Sequence, residues 1–149
     1  MSTLQSRIEK DFVSAYKARE EARVGVLRMV KTALKNRQVE LKRELADEDV
    51  MDVLLRQLKQ RQEAVDQYAK AGHQDRADAE AAEAEIIKGY LPQPLTPEET
   101  RALVESVIAE LGASSMADMG RVMGAITASH KGRVDNKAVS QMVRERLAS

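Results

Sequence analysis

The sequence predicts an all-α protein. Apolar residues recur at helical spacing along its 149 residues, and no segment alternates apolar and polar residues as a half-buried strand would. Glycine is sparse, and the three prolines all fall within positions 92–97. These observations predict an N-terminal four-helix domain over residues 1–91, a Pro-rich linker over 92–96 and a small three-helix domain over 97–149.

The first two helices are defined by their apolar positions. A stripe at Leu4, Ile8 and Phe12 predicts the first helix. The second should begin near residues 19–21 and continue past Leu41. Its apolar residues, which include Met29, form a broad band over 24–34, and such a band predicts deep burial.

The third and fourth helices are defined mainly by their ends. Asp47 is expected to cap the third helix, and Gly72 suits the left-handed position that follows its last turn. Asp75 is expected to cap the fourth, an alanine-rich helix that ends near Tyr90. The prolines that follow end the helix and stiffen the connection.

The C-terminal domain begins with a clear helix start signal. Residues 96–99, Thr-Pro-Glu-Glu, form a capping box with proline at the first helical position. Gly112 should end this helix. Ser114 or Ser115 should cap the next helix, and Asp135 the last. Three short helices therefore follow the prolines.

The middle of these three helices carries two glycines, Gly120 and Gly124, one turn apart. Each costs roughly 1 kcal/mol relative to alanine inside a helix. Either something approaches the backbone closely, or the glycines form a small-residue seam between packed helices. Both interpretations stay open on spacing alone, and we expect at least one glycine to face a neighbouring helix. A basic loop at 131–133, Lys-Gly-Arg, follows the helix.

The charges balance overall but not locally. With 24 basic and 24 acidic residues the net charge is zero, so the global basic field of a typical nucleic-acid binder is missing. Two segments are nevertheless basic, Lys17–Arg43 and Met119–Arg146. A basic face in the first segment is formed by Arg28, Lys31 and Lys35. In the second, the cations that surround the glycines are Arg121, Lys131, Arg133 and Lys137.

The second basic segment favours contact with a phosphate backbone. A helix face with little side-chain cover, flanked by cations, suits that contact. Residues 91–149 contain no Phe, Tyr or Trp, which excludes base stacking on aromatic rings there. Structured RNA, recognised through backbone and shape, fits this better than a single strand.

No autonomous active site is indicated. The chain has no cysteine, which removes disulfides, thiol catalysis and Cys-ligated zinc. His73 and His130 lack ligand-like partners at helical spacing, and Ser114 and Ser115 fit helix capping without a base nearby. We therefore expect no catalytic residue, no metal and no cofactor.

The cellular location is expected to be the cytoplasm. The N-terminus carries charges where a signal peptide needs an apolar run. Uncharged stretches are far shorter than a membrane span, so no membrane association is expected.

Three motifs resemble those of the GatB/YqeY family. They are Tyr90-Leu91-Pro92, the glycine helix at 118–124 and the loop at 131–135, Lys-Gly-Arg-Val-Asp. The N-terminal Leu27-Arg28-Met29 context and the helix end at Gly72 also resemble stand-alone members of that family. The resemblance covers essentially the whole chain.

The resemblance implies a C-terminal domain similar to the tail of the B subunit of the aspartyl/glutamyl-tRNA amidotransferase, which is associated with gripping tRNA. The positions that match the family motifs are Gly120, Arg121, Gly124, Lys131, Gly132 and Arg133. This chain departs from the motif at residues 128–130, where Ser129 replaces a lysine, so a modest affinity is expected.

Three functions are compatible with these observations. The first is a non-catalytic tRNA-binding accessory protein, with an amidotransferase or an aminoacyl-tRNA synthetase as a possible protein partner. The second is carbon–nitrogen ligase activity with glutamine as amido donor, exerted only with catalytic subunits. The third is a helical adaptor that binds another protein through the apolar face of residues 24–34.

Overall fold

The computed structural model describes residues 1–148, and within them the predicted all-α class is confirmed. These residues form seven α-helices and one short 3₁₀ turn, and no strand is present among them. The chain divides into two compact units, of which one spans Met1–Leu91 and the other begins at Pro92.

The first unit contains four helices. They are α1 (Thr3–Lys17), α2 (Glu21–Leu41), α3 (Asp47–Lys70) and α4 (Gln74–Lys88). Their shared core is aliphatic apart from one aromatic ring, and its fully buried members include Ile8, Leu27, Leu34, Leu54 and Ile87.

The buried face of α2 is narrower than predicted. Val26, Leu27, Val30 and Leu34 are buried, but Met29 is 52% exposed. Its sulfur lies 3.4 Å from Nη2 of Arg61 on α3, so Met29 contacts a charged side chain and not the apolar core. The broad apolar band of the sequence is therefore only partly a core face.

The starts of α3 and α4 differ from the prediction, and for α3 the reason is that its acids have other partners. Ala46, not Asp47, is the N-cap of α3, and the Asp49 carboxylate accepts the Ala46 N–H at 2.8 Å. Asp47 instead accepts the backbone N–H of Leu4 at 3.0 Å, in the first turn of α1. His73 is the N-cap of α4.

The second unit contains α5 (Pro97–Leu111), the 3₁₀ turn (Met116–Asp118), α6 (Met119–Ser129) and α7 (Asn136–Ala148). Its core consists of the aliphatic side chains Val104, Val107, Ile108, Val122, Ile126, Val139, Val143 and Leu147.

Local signals set both ends of α5 and the start of α7 as predicted, whereas Ser115 caps the 3₁₀ turn and Asp118 is the N-cap of α6. Thr96 and Glu99 form the capping box at the start of α5, with reciprocal hydrogen bonds of 3.1 Å. Gly112 ends α5 in the left-handed conformation, with φ of 62°. Asp135 precedes α7 and its carboxylate accepts the N–H of Lys137 at 3.1 Å. The Gly72 turn after α3 is also confirmed, with φ of 81°.

The Pro-rich segment groups with the second unit. Within that unit, the Leu95 N–H donates to the Arg133 carbonyl at 2.8 Å, which joins residues 92–96 to the turn between α6 and α7. The domain limits of 1–91, 92–96 and 97–149, and the role of 92–96 as a linker, stay predictions.

Candidate functional site

The two glycines of α6 face open space. Gly120 and Gly124 are both exposed, and a Cβ added at either would meet no atom within 4 Å. The expectation that at least one of them packs against a neighbouring helix is therefore wrong. Val122 and Ile126, on the other side of α6, are fully buried, so the glycines occupy the outward face.

This outward face exposes helix backbone. Side chains normally cover the peptide groups of a helix, and glycine leaves them accessible to a ligand. Packing does not explain the two glycines, although each costs roughly 1 kcal/mol of helix stability relative to alanine. Of the two explanations for the glycines, close approach of a ligand to the helix backbone is the one that remains.

The loop after α6 turns on Gly132. Its φ of 77° is left-handed, a conformation that costs other residues roughly 1–2 kcal/mol. The Arg133 N–H closes the turn on the carbonyl of His130 at 3.0 Å. Lys131 and Gly132 are exposed at the tip of this turn.

Arg133 is half-buried and has a structural role that the sequence did not reveal. Its Nε donates to the carbonyl of Gln93 at 3.0 Å, and its own carbonyl accepts the Leu95 N–H. Through these two hydrogen bonds, one of its side chain and one of its backbone, Arg133 fixes the Pro-rich segment to the α6–α7 turn. A substitution at Arg133 would disturb this connection as well as remove a charge.

Arg121 is exposed near the start of α6 and pairs with Asp118, at 3.1 Å between Nη2 and Oδ1. The pKa of Asp118 lies below its usual range, chiefly because the carboxylate accepts the N–H groups of Ser114 and Ser115, with a smaller contribution from Arg121. An exposed pair of this kind contributes little stability, so Arg121 can exchange Asp118 for an external anion at small cost.

The remaining cations lie at the opposite end of α6. Lys131 follows the last turn of α6, and Lys137 is exposed in the first turn of α7. Ten residues separate Arg121 from Lys131, which is about 15 Å along a helix. The cations therefore lie towards the two ends of α6 and are not gathered around one point.

The second basic face lies along α2 in the first unit. Arg28, Lys31 and Lys35 line one side of a groove of about 470 Å³ between α1 and α2. The ammonium of Lys31 lies 3.3 Å from a Glu9 oxygen and 4.1 Å from the ring centre of Phe12. The Arg28 guanidinium lies 5.8 Å from the same ring centre.

Residues 1–148 lack two further features. No group of three or more His, Asp or Glu side chains is placed to hold a metal ion there. None of the helices in that range combines the length and the apolar character needed to cross a bilayer.

The sequence matches the family described as "Yqey-like protein" over residues 5–147. The chain belongs to this family. The resemblance drawn from the α6 and loop motifs is thereby confirmed at the level of the family.

Fungal proteins are among the relatives of this YqeY-like chain. "Altered inheritance of mitochondria protein 41, mitochondrial" of Pyrenophora tritici-repentis is 24% identical over 142 residues, which cover 93% of this chain and 78% of that protein. The protein of the same name in Lachancea thermotolerans is 28% identical over 113 residues, 74% of this chain and 60% of that protein. An uncharacterised protein of Schizosaccharomyces pombe is 27% identical over 90 residues.

Proposed function

We propose that this YqeY-like chain binds tRNA as a non-catalytic accessory protein, through the bare face of α6 and the cations towards its two ends. The observation that carries the proposal is the open space at Gly120 and Gly124, which leaves helix backbone accessible between Arg121 and Lys131. Backbone and shape recognition needs such accessible surface and does not need aromatic rings.

The family relation supports the same function. The α6 and loop motifs resemble the tail domain of the amidotransferase B subunit, which is associated with gripping tRNA. In this proposal the three-helix part carries the RNA contact and the first unit carries a secondary basic face. An amidotransferase or an aminoacyl-tRNA synthetase is the proposed protein partner, and the cytoplasm the proposed location. The fungal relatives, by contrast, carry the word mitochondrial in their names.

Direct binding of tRNA to the full chain tests the proposal. The decisive variant is Arg121→Gln with Lys137→Gln, because both side chains are exposed and glutamine keeps their stems. Arg133 is left unchanged, since its loss would release Gln93. Affinity at low salt should fall roughly 10- to 100-fold, and the slope of log affinity against log salt should decrease by about 2.

The matched control is Lys59→Gln with Arg101→Gln, which removes the same charge from two other exposed positions. It should leave the affinity within about twofold of the unchanged chain, since most surface substitutions have small effects. Equal loss of affinity in both double variants would mean that only net charge matters. Absence of tRNA binding at low salt would sink the proposal.

The two alternative functions predict different outcomes. Release of ammonia from glutamine by the purified chain would favour an enzyme. In a pulldown from lysate, recovery of one protein partner both with and without nuclease treatment would favour an adaptor.

A further inference from the structure

We infer that the groove between α1 and α2 binds a short unpaired stretch of RNA, with its phosphates on the α2 side and a base inside the groove. Only the choice of RNA as the polyanion rests on the proposed function. The site, its residues and its preference for an unpaired strand follow from the first unit itself.

The groove has the size and shape for a flexible strand. Its volume of about 470 Å³ lies within the range typical of small-ligand sites, roughly 300–1,000 Å³. Its α2 side runs from Arg28 to Gln38, which is about 15 Å at the rise of a helix. Since neighbouring packed helices lie roughly 8–10 Å apart from axis to axis, the groove is a furrow between their side chains. A single strand can place a base in it, whereas a duplex can only rest on its rim.

The charge of the groove favours a polyanion. Arg28 and Lys35 make no ion pair with any residue of 1–148, whereas Lys31 between them pairs with Glu9 at 3.3 Å. Glu9 is the one acidic residue that lines the groove in that range. Two cations without ion-pair partners, about two turns apart on one helix face, can each contact a phosphate.

The floor of the groove carries groups that suit a base. The Phe12 ring lies there with Lys31 over one face, and the planar guanidinium of Arg28 is 5.8 Å from the ring centre. Bases stack on arginine planes and aromatic side chains when they are unpaired. The α6 surface has no equivalent, because residues 91–149 contain no aromatic residue.

Gln5 supplies a hydrogen-bonding group inside the groove. Only 8% of this residue is exposed, yet it lines the groove, and its side-chain amide forms no hydrogen bond within residues 1–148. The amide is not among the fully buried unpaired polar atoms, so it opens to the groove, where water pairs with it until a ligand takes its place. The edge of an unpaired base offers both a donor and an acceptor for it.

The test measures binding of an unpaired RNA hexamer to the full chain by fluorescence anisotropy. Arg28→Gln with Lys35→Gln should lower the affinity at least about tenfold, because two phosphate contacts are lost. The charge-matched control, Lys10→Gln with Lys59→Gln, removes exposed cations that do not line the groove and should change it less than about twofold. Equal effects in the two variants, or no hexamer binding, overturn the inference.

Gln5→Leu tests the base contact separately. It removes the amide at similar volume, and circular dichroism confirms that the helices persist. Affinity for the hexamer should fall about three- to tenfold, while competition by inorganic phosphate stays unchanged. An unchanged hexamer affinity would show that only phosphate charge is read. Competition by a hexaglutamate peptide at the same concentration as the hexamer would reassign the groove to acidic peptides.

The two RNA proposals fail separately. If the groove inference is wrong and the proposed function right, tRNA binding is lost in the Arg121/Lys137 variant and the hexamer does not bind. If the reverse holds, the hexamer binds through Arg28 and Lys35, and tRNA binding is unchanged by the Arg121/Lys137 variant.

Discussion

The two compact units of this protein are held together in different ways. In the first, side chains distant in sequence meet in polar clusters. The Tyr90 hydroxyl donates to Asp11 at 2.6 Å and accepts from Arg23 at 3.3 Å, while the Arg7 guanidinium lies 4.7 Å from the centre of its ring. Arg61, 7% exposed at its side chain, pairs with Glu83 at 2.8 Å.

The second unit relies mainly on contacts between near neighbours in sequence. A capping box begins α5, and Asp135 caps α7. The Asp118 carboxylate accepts the backbone N–H of Ser114. Gly112 after α5 and Gly132 after α6 adopt the left-handed conformation. Its ion pair between Arg146 and Glu105 joins side chains that are about half exposed. The exceptions to this locality are that pair, 41 positions apart, and Arg133, which reaches back 40 positions to Gln93.

Because of this difference, different changes should lower the stability of each unit. Buried polar clusters depend on protonation and on every member being present. Caps and turns depend on backbone conformation. The α6 surface is thus built on backbone geometry, so conservative changes of side chain should alter the proposed RNA binding without unfolding the unit.

The largest expected effect concerns Tyr90 and pH. Burial, then the hydrogen bond to Asp11 and its charge, raises the pKa of Tyr90 from 10.0 to about 12. The folded state therefore favours the protonated hydroxyl. This stabilisation is complete below pH 10 and is lost as pH rises towards 12, at a cost of roughly 2–3 kcal/mol.

Urea unfolding at several pH values measures this loss as the free energy of unfolding of the unchanged chain and of Tyr90→Phe. Phe cannot ionise, so the variant should be about 1 kcal/mol less stable at pH 8, through the lost hydrogen bond. The gap should close and reverse between pH 10 and 12. A constant gap across that range would show that Tyr90 does not couple ionisation to folding.

The next effect concerns Arg61. Arg61→Ala leaves Glu80 and Glu83 without their buried cation and opens a cavity between α3 and α4. Because both carboxylates are partly exposed, the expected loss is about 2 kcal/mol, below the range for fully buried pairs. Arg61→Leu fills the space and should cost less. Equal losses would assign the effect to charge alone. Amide hydrogen exchange should report faster opening in α3 and α4 and no change in α5–α7.

A smaller effect is expected in the second unit at Gly132. Gly132→Ala forces a side chain into the left-handed conformation, with φ of 77°, and should cost about 1 kcal/mol. Hydrogen exchange should accelerate at the α6–α7 turn while α1–α4 keep their protection. Gly25→Ala is the control, because Gly25 lies within helix α2 and its added Cβ meets no atom within 4 Å. Stability should rise there.

The smallest effect is a gain of stability. Gly124→Ala should stabilise α6 by roughly 0.5–1 kcal/mol, because alanine is the better helix former and its Cβ meets no atom within 4 Å. Thermal unfolding measures the gain. If α6 approaches RNA at this face, tRNA affinity should fall, and Gly124→Leu should lower it further. A stabilised variant with unchanged affinity would separate the glycines from binding.

Much of the fold followed from sequence because its signals are local. The capping box at Thr96, the Gly112 and Gly72 helix ends and the Asp135 cap each involve residues within a few positions. Asp47 was misassigned because its partner, the Leu4 N–H, is 43 residues away.

The site was harder to predict for the same reason. The spacing of Gly120 and Gly124 does not say whether their face meets a helix or solvent. That depends on Val122 and Ile126, which pack into the core. The Arg133–Gln93 hydrogen bond spans 40 positions, and the groove containing Gln5 and Phe12 exists only because α1 lies against α2.

The bonds of Arg133 also decide where the chain can be cut. A fragment that begins at Thr96 retains the capping box of α5 but lacks the Gln93 carbonyl and the Leu95 N–H, both of which Arg133 binds. A fragment that begins at Pro92 keeps them. The natural point for separating the two units therefore precedes the prolines, and limited digestion should spare the bonds between Gln93 and Thr96.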